Sequence, residues 1–247
     1  MTLIPVLLYH SVADEAGNRL TVSPSEFATH ADVLRASGRT SLCMTELAAA
    51  LSGERPLPAR PLAVTFDDGY ADTYDAVQVL LARGLSATVY ATAAEIGTKD
   101  RLSPARLYEL AHMPGVEIGA HAFRHRRLDE LEDPGPFLEA RRSKAQLEAL
   151  TQVEVLSFAY PDGAYDQAAL TAVIEAGYQS AAAVKNAISH SADDVFAIAR
   201  WTVTASTSAS RIAQVLEGVG VPLAWSRERR RTRAYRLVRR GRRRLGG

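Results

Sequence analysis

Between residues 3 and 218, short apolar runs take turns with segments of helical periodicity. LIPVLLY (3–9), PLAVTF (61–66), SATVYAT (86–92), VEIGAH (116–121), VEVLSFAY (153–160), YQSAAAV (178–184) and VFAIARWTV (195–203) read as strands. Helical periodicity predicts helices over 24–37, 45–53, 74–84, 103–113, 137–151, 166–177 and 208–218. Ser23 is the expected cap of the first helix and Thr45 of the second. A helix between consecutive strands carries the chain back over the sheet, so neighbouring strands run parallel. The pattern predicts an α/β fold of about six or seven strands, either an open sheet or a distorted (β/α) barrel.

A chain of 247 residues, 47% apolar and 23% charged, has enough material for one domain with a sizeable core. The single Cys43 has no internal partner, which excludes a disulfide scaffold. No apolar run reaches the roughly 18 residues a membrane span needs. The N-terminal MTLIPVLLYHSV lacks a basic leader segment, so the chain as given reads as cytoplasmic. The net charge of +1 conceals an asymmetry: residues 227–244 hold eleven of the 29 basic residues against one acid. The expected division is a catalytic domain over 1–226, near −9, and an Arg-rich tail over 227–247, near +10. Such a tail suggests either peripheral attachment to an anionic membrane at its inner face or a segment that only solubilises the domain. Nucleic acid is an unlikely partner, because the acidic domain would repel phosphate.

Parallel α/β folds place their chemistry at the carboxyl ends of the strands. There the sequence puts His10, Asp67 and Asp68, His121 with His125 four residues on, and PDG at 161–163. Taken alone, DDG is commonly a helix cap or Asx turn, and a His pair is commonly two loop residues. Together, one carboxylate and two imidazoles make a 2-His-1-carboxylate set with open positions, and the spare carboxylate suits a general base. Zinc heads the candidates, with cobalt, nickel, iron or manganese also suited. Hydrolysis of an amide or ester is the natural reaction.

VTFDDG (64–69), EIGAHAFRH (117–125) and FAYPDG (158–163) resemble, in order, the motifs of the polysaccharide deacetylases of carbohydrate esterase family 4, with their NodB-type domain. The resemblance spans about residues 3–205. It implies a distorted barrel of about seven strands and metal-dependent removal of acetyl groups from an N-acetylated sugar in a saccharide or glycolipid. It further implies Asp67 as catalytic base and Asp68, His121 and His125 as metal ligands. The main-chain N–H of Asp162 takes the place of the oxyanion donor.

This chain departs from the family twice. The family's third motif usually reads Arg-x-Pro-Tyr, whereas Ala159 and Asp162 stand here in place of Arg and Tyr. The family's Arg orients the base, and Arg200 is the expected replacement. The late Leu-x-His motif that usually supplies the general acid has only a loose match in ISH (188–190). LLYH (7–10) resembles the short subgroup in which an N-terminal His is the acid, so His10 is the expected proton donor. His30 and His112 receive no role. Two other readings stay open: a hydrolase of a different amide or an O-acetyl ester, and an inactive carbohydrate-binding homologue.

Overall fold

The computed structural model describes residues 1–14 and 17–225. The Arg-rich tail lies outside the described residues, and with it the expectation of a membrane-binding segment. Seven parallel strands close into a barrel in simple sequence order: β1 (Val6–Tyr9), β2 (Pro61–Phe66), β3 (Ala87–Ala91), β4 (Val116–Ala120), β5 (Ser157–Ala159), β6 (Ser180–Val184) and β7 (Ile198–Thr202). Pairing of β7 with β1 (Trp201 opposite Leu7) and of β1 with β2 (Val6 opposite Ala63) completes the ring. The expected barrel is therefore present and closed, not an open sheet.

Helices α1 (Pro24–Ala36), α2 (Met44–Leu51), α3 (Thr73–Leu81), α4 (Pro104–Ala111), α5 (Gly135–Thr151), α6 (Gln167–Glu175) and α7 (Ala209–Leu216) fall in the seven expected segments. Ser23 caps α1 as expected, its hydroxyl accepting from the Glu26 N–H. Thr45 does not cap α2. That position falls to Cys43, whose N–H is held by the Glu46 carboxylate at 3.0 Å. Among the described residues, no helix is long and apolar enough to cross a membrane.

Two expected strands are shorter than their apolar runs. The 153–160 segment keeps only Ser157–Ala159, because Val153 to Leu156 form the approach from α5. The 195–203 segment starts at Ile198, after a turn in which the Asp194 carboxylate accepts from the Phe196 N–H. Apolar character marked burial at both places, and burial does not require a ladder.

Strand parity sorts the core into two parts. Leu7, Tyr9, Val64, Phe66, Val89 and Phe158 belong to the large cluster between barrel and helices. Val6, Ala63, Tyr90, Ala159, Ala182 and Ile198 form the interior, which Met44, Leu47 and Ala48 of α2 plug at the amino end. Small interior residues leave room for two large side chains, Tyr90 and Arg200, both fully buried.

The same parity carries polar groups inward. The buried Glu117 carboxylate accepts from the Thr45 N–H (2.8 Å), the Thr45 hydroxyl (2.7 Å) and the hydroxyls of Ser157 and Thr88. Burial pushes its carboxyl above the ordinary Glu range, against these donors. Thr45 thus ties the α2 plug to the barrel floor instead of capping its helix.

Candidate metal centre and catalytic mouth

Continuing the inward parity of β2 and β4 past the strand ends delivers Asp67, after Thr65, and His121, after Glu117 and Gly119. Asp67 and His121 are both buried. Asp68 follows in a left-handed turn (φ 73°) that swings its carboxylate towards the same point. His125 returns from the loop after β4, also left-handed (φ 53°), as are Ala122 (φ 60°) and, after β5, Asp162 (φ 57°). The His pair therefore sits on an irregular loop and not on a helical turn. Non-glycine residues held this way cost about 1–3 kcal/mol each and concentrate at functional sites. Gly163 is required beside them. Its φ is +65°, and a Cβ there would lie 2.2 Å from the Val184 backbone nitrogen.

Asp68 Oδ1 lies 3.5 Å from His121 Nε2 and 3.3 Å from His125 Nε2. Two donors each about 2.0–2.2 Å from a shared tetrahedral ion stand about 3.3–3.6 Å apart, so both Asp68–His distances match a ligand set, and all three donor atoms lie within 4.8 Å of one another. The chemistry of the donors agrees. Asp68 Oδ1 is buried and has no hydrogen-bond partner. His121 Nδ1 lies 2.8 Å from the Ala159 carbonyl, which fixes the ring and leaves Nε2 to face Asp68. Among the described residues, Asp68, His121 and His125 are the group able to hold an ion. They are the three residues expected from the sequence.

Arg200 was expected from the sequence beside the base. It is not a surface residue. It lies within β7, fully buried, and makes a two-pronged pair with Asp67: Nη1 to Oδ1 at 2.6 Å and Nη2 to Oδ2 at 2.8 Å. Nη1 also donates to Thr65 Oγ1 at 3.2 Å. The guanidinium carbon lies 5.3 Å from the centre of the Tyr90 ring. Burial alone would raise the Asp67 carboxyl. Arg200, with His121 and His10, outweighs it and holds the carboxyl below the ordinary Asp range.

The remaining titratable groups respond to the same field. Asp68, although burial opposes ionisation, is held well below the ordinary range by the His125 contact and the neighbouring imidazoles. The His125 imidazole is raised, chiefly by its contact with Asp68. His121 is lowered by burial. His10 is likewise lowered by burial, against the attraction of Asp67 and Asp68, and it follows Tyr9, whose carbonyl accepts from the Asp67 N–H at 3.0 Å. Its Nδ1 is buried without a hydrogen-bond partner. The turn at Asp162 is closed by Gly163 N–H to Tyr160 O (2.7 Å) and Ala164 N–H to Pro161 O (3.1 Å), neither of which uses the Asp162 N–H.

The other histidines stand elsewhere. His190 belongs to a short strand (Ser189–His190) paired with Leu3–Ile4, before β1, at the opposite end of the barrel. His30 is a buried pin, its ring between the Tyr9 hydroxyl (3.2 Å) and the Thr207 carbonyl (2.9 Å). His112 lies at the end of α4, with Nδ1 2.8 Å from the Tyr108 carbonyl. Sequence reasoning passed over Thr65 and Glu117. Strand parity was the available signal, since both share a face with a residue that was chosen.

A closed parallel barrel with carboxylates and imidazoles gathered at its carboxyl-end mouth has the architecture expected from the sequence. Residues 54–181, just over half the chain, match the family profile described as polysaccharide deacetylase. The chain belongs to the polysaccharide deacetylase family, which makes it a hydrolase of the carbohydrate deacetylase class. It is 29% identical over 217 residues to YxkH of Bacillus subtilis (strain 168), a protein named for polysaccharide deacetylases, covering 87% of this chain and 77% of that one. Its fold resembles that of the Streptococcus pyogenes deacetylase PplD solved with acetate (TM-score 0.80, 23% identity, 87% of this chain and 98% of that one). It also resembles IcaB from Ammonifex degensii (TM-score 0.75, 24% identity, 88% and 98%).

Proposed function

We propose that this protein is a metal-dependent N-deacetylase acting on an acetylated amino sugar in a saccharide. The observation that carries this reading is the Asp68–His121–His125 triad standing beside the Arg200-bound Asp67. Asp68, His121 and His125 would hold a divalent ion, zinc first among the candidates. When bound, the ion supplies Lewis-acid polarisation of the acetyl carbonyl and of water.

The chain's own groups divide the rest of the reaction. Asp67 accepts the proton of the attacking water as oxygen bonds to the acetyl carbon. Arg200 is a positioning residue: it fixes the Asp67 carboxylate and keeps it ionised. The Asp162 N–H donates to the oxyanion that develops on the acetyl oxygen. His10, protonated, gives its proton to the sugar nitrogen as the C–N bond breaks, leaving acetate and a free amine. Residues 1–226 constitute the catalytic domain in this reading. The Arg-rich 227–247 segment is a separate tail that holds the enzyme at an anionic membrane, where a glycolipid substrate would be met. An O-acetyl ester would meet the same groups, with an alcohol as the leaving group.

Acetate release from a panel of N-acetylated and O-acetylated saccharides and glycolipids tests the reading, with the purified protein supplied with zinc. Release that depends on the ion and is confined to N-acetylated sugars is expected. Release only from esters, or none with ion bound, overturns it.

A further inference from the structure

The end of the barrel away from the metal triad carries a feature that the proposed reaction does not use. A cavity of about 610 Å³ opens there, walled by residues 40–46 and by the segments that lead into β3, β4 and β5. Leu42, Val116, Val153 and Leu156 give it apolar walls, and Glu46, Arg55 and Glu154 add charge.

These charges are unequally committed. Arg55 is already paired with Glu46 (2.9 Å), whose carboxylate also holds the Cys43 N–H. Glu117, also in the wall, has its carboxylate taken up by the donors of Thr45, Thr88 and Ser157. Glu154 is exposed and makes no hydrogen bond or ion pair with any described residue. An anionic ligand would therefore meet three carboxylates and an arginine that is already paired. A purely polar cation would leave the apolar walls in water. The cavity suits a short apolar stretch with positive charge beside it, as in a cationic amphipathic peptide.

Such a peptide is tethered at the same end of the barrel. The Ala224 N–H donates to the Ile188 carbonyl (2.8 Å), and the Ala224 carbonyl lies 3.2 Å from His190 Nε2. The Trp225 carbonyl accepts from Lys185 Nζ (3.3 Å), which also meets Asp193 (3.3 Å). His190 pairs with Leu3 ahead of β1, so the described chain ends on the amino-end side of the barrel. Beyond it in the sequence, Tyr235, Leu237 and Val238 stand among eleven arginines. Leu237 comes twelve residues after Trp225. A stretch of that length reaches about 40 Å when extended, against a backbone diameter on the order of 15 Å for a ring of seven strands.

We infer that the amino-end cavity is the dock of this chain's own 235–240 segment, with Tyr235, Leu237 and Val238 against the apolar walls and a neighbouring arginine on Glu154. Docking engages one or two guanidinium groups and leaves the other arginines to an anionic surface. The inference does not rest on the deacetylase reading, because dock and metal centre belong to opposite ends of the barrel.

The test puts the photoreactive residue p-benzoylphenylalanine in place of Leu237, or of Leu245 as a control, in the full chain. Cross-linked peptides are then mapped by mass spectrometry at low salt. From position 237, labelling of residues 40–46, 111–118 or 153–156 within the same chain is expected. Glu154→Arg turns the attraction into repulsion and should cut that labelling about fivefold or more, with Tm unchanged. Salt at about 1 M should do the same without any substitution. Labelling that falls elsewhere, that is as strong from position 245, or that ignores both Glu154→Arg and salt overturns the dock. A cross-linked dimer overturns it in favour of a second copy as the tail's partner. Each of these outcomes leaves the deacetylase reading standing, since acetate release is measured separately.

Discussion

Arg200 on β7 and Asp67 after β2 meet through two parallel hydrogen bonds, 2.6 and 2.8 Å, although 133 residues separate them in sequence. The two strands do not pair with each other. Each flanks β1, so the bond passes across the barrel interior and exists only when the ring is closed. In the proposed mechanism it supplies the cation that the third motif lacks, from a different strand.

Arg200→Met should therefore affect two measurements at once. Removing one partner of a buried ion pair costs about 3–5 kcal/mol, because the other charge is left uncompensated. A lower Tm follows. Asp67 is held below its ordinary range in the native protein, so its contribution to stability is present above the unfolded Asp value of about 3.9 and is lost as pH falls through the native value. Without Arg200 the remaining burial raises Asp67. Since the base must be ionised, the acidic limb of the pH–rate profile should move to higher pH. An unmoved limb with normal turnover would rule out the positioning role.

Asp68→Ala, His121→Ala and His125→Ala should each abolish tight metal binding, because each removes one of three protein ligands. Asp67→Asn should keep the metal and lose about 10²-fold or more in turnover as a general base is removed. Elemental analysis after gel filtration separates the two groups. Stoichiometric metal in all three alanine variants would remove the ligand assignment.

His10→Ala should slow turnover while metal and fold persist. His10 must carry a proton to act as acid, so it works below its pKa, and burial has lowered that pKa. The basic limb of the profile should accordingly fall at lower pH than an exposed imidazole would give, and should disappear in the variant. His190→Ala is the control, since that ring lies at the other end of the barrel. If the basic limb follows His190 and ignores His10, the acid has been misassigned.

The Arg-rich 227–247 segment should bring the protein to anionic vesicles in low salt and release it in high salt, at roughly 1 kcal/mol per basic residue near the surface. Co-sedimentation with phosphatidylserine liposomes reads this directly. The 1–226 truncation should stay in the supernatant. Identical behaviour of both forms would leave the tail without a membrane role.

Most of the architecture was legible because strand and helix periods alternate so regularly, and strand ends place the chemistry. Asp67, Asp68, His121 and His125 were visible for that reason. The periods alone did not show closure, since a β1–β2–β7 junction is a tertiary fact and the same periods serve an open sheet; the expected barrel came from the resemblance of the three motifs. The sequence named Arg200 but could not show its burial: an arginine in an apolar run reads equally as a strand-end surface residue, and the small interior residues Ala63, Ala159 and Ala182 make room for it. Glu117 was missed, and Thr45 read as a cap, because their partners come from α2 and three strands, which no local window contains.

Simple strand order has a consequence for assembly during synthesis. The segment that carries the family match, 54–181, already contains Asp67, Asp68, His121, His125 and Asp162. It contains neither His10 nor Arg200. A growing chain thus holds the ion-binding triad from residue 125 onwards, while the carboxylate of Asp67 waits another 75 residues for the guanidinium that makes its burial tolerable. The residues of the candidate metal centre and the guanidinium that meets Asp67 thus enter the chain at separate points, and β7 is the element whose arrival joins them.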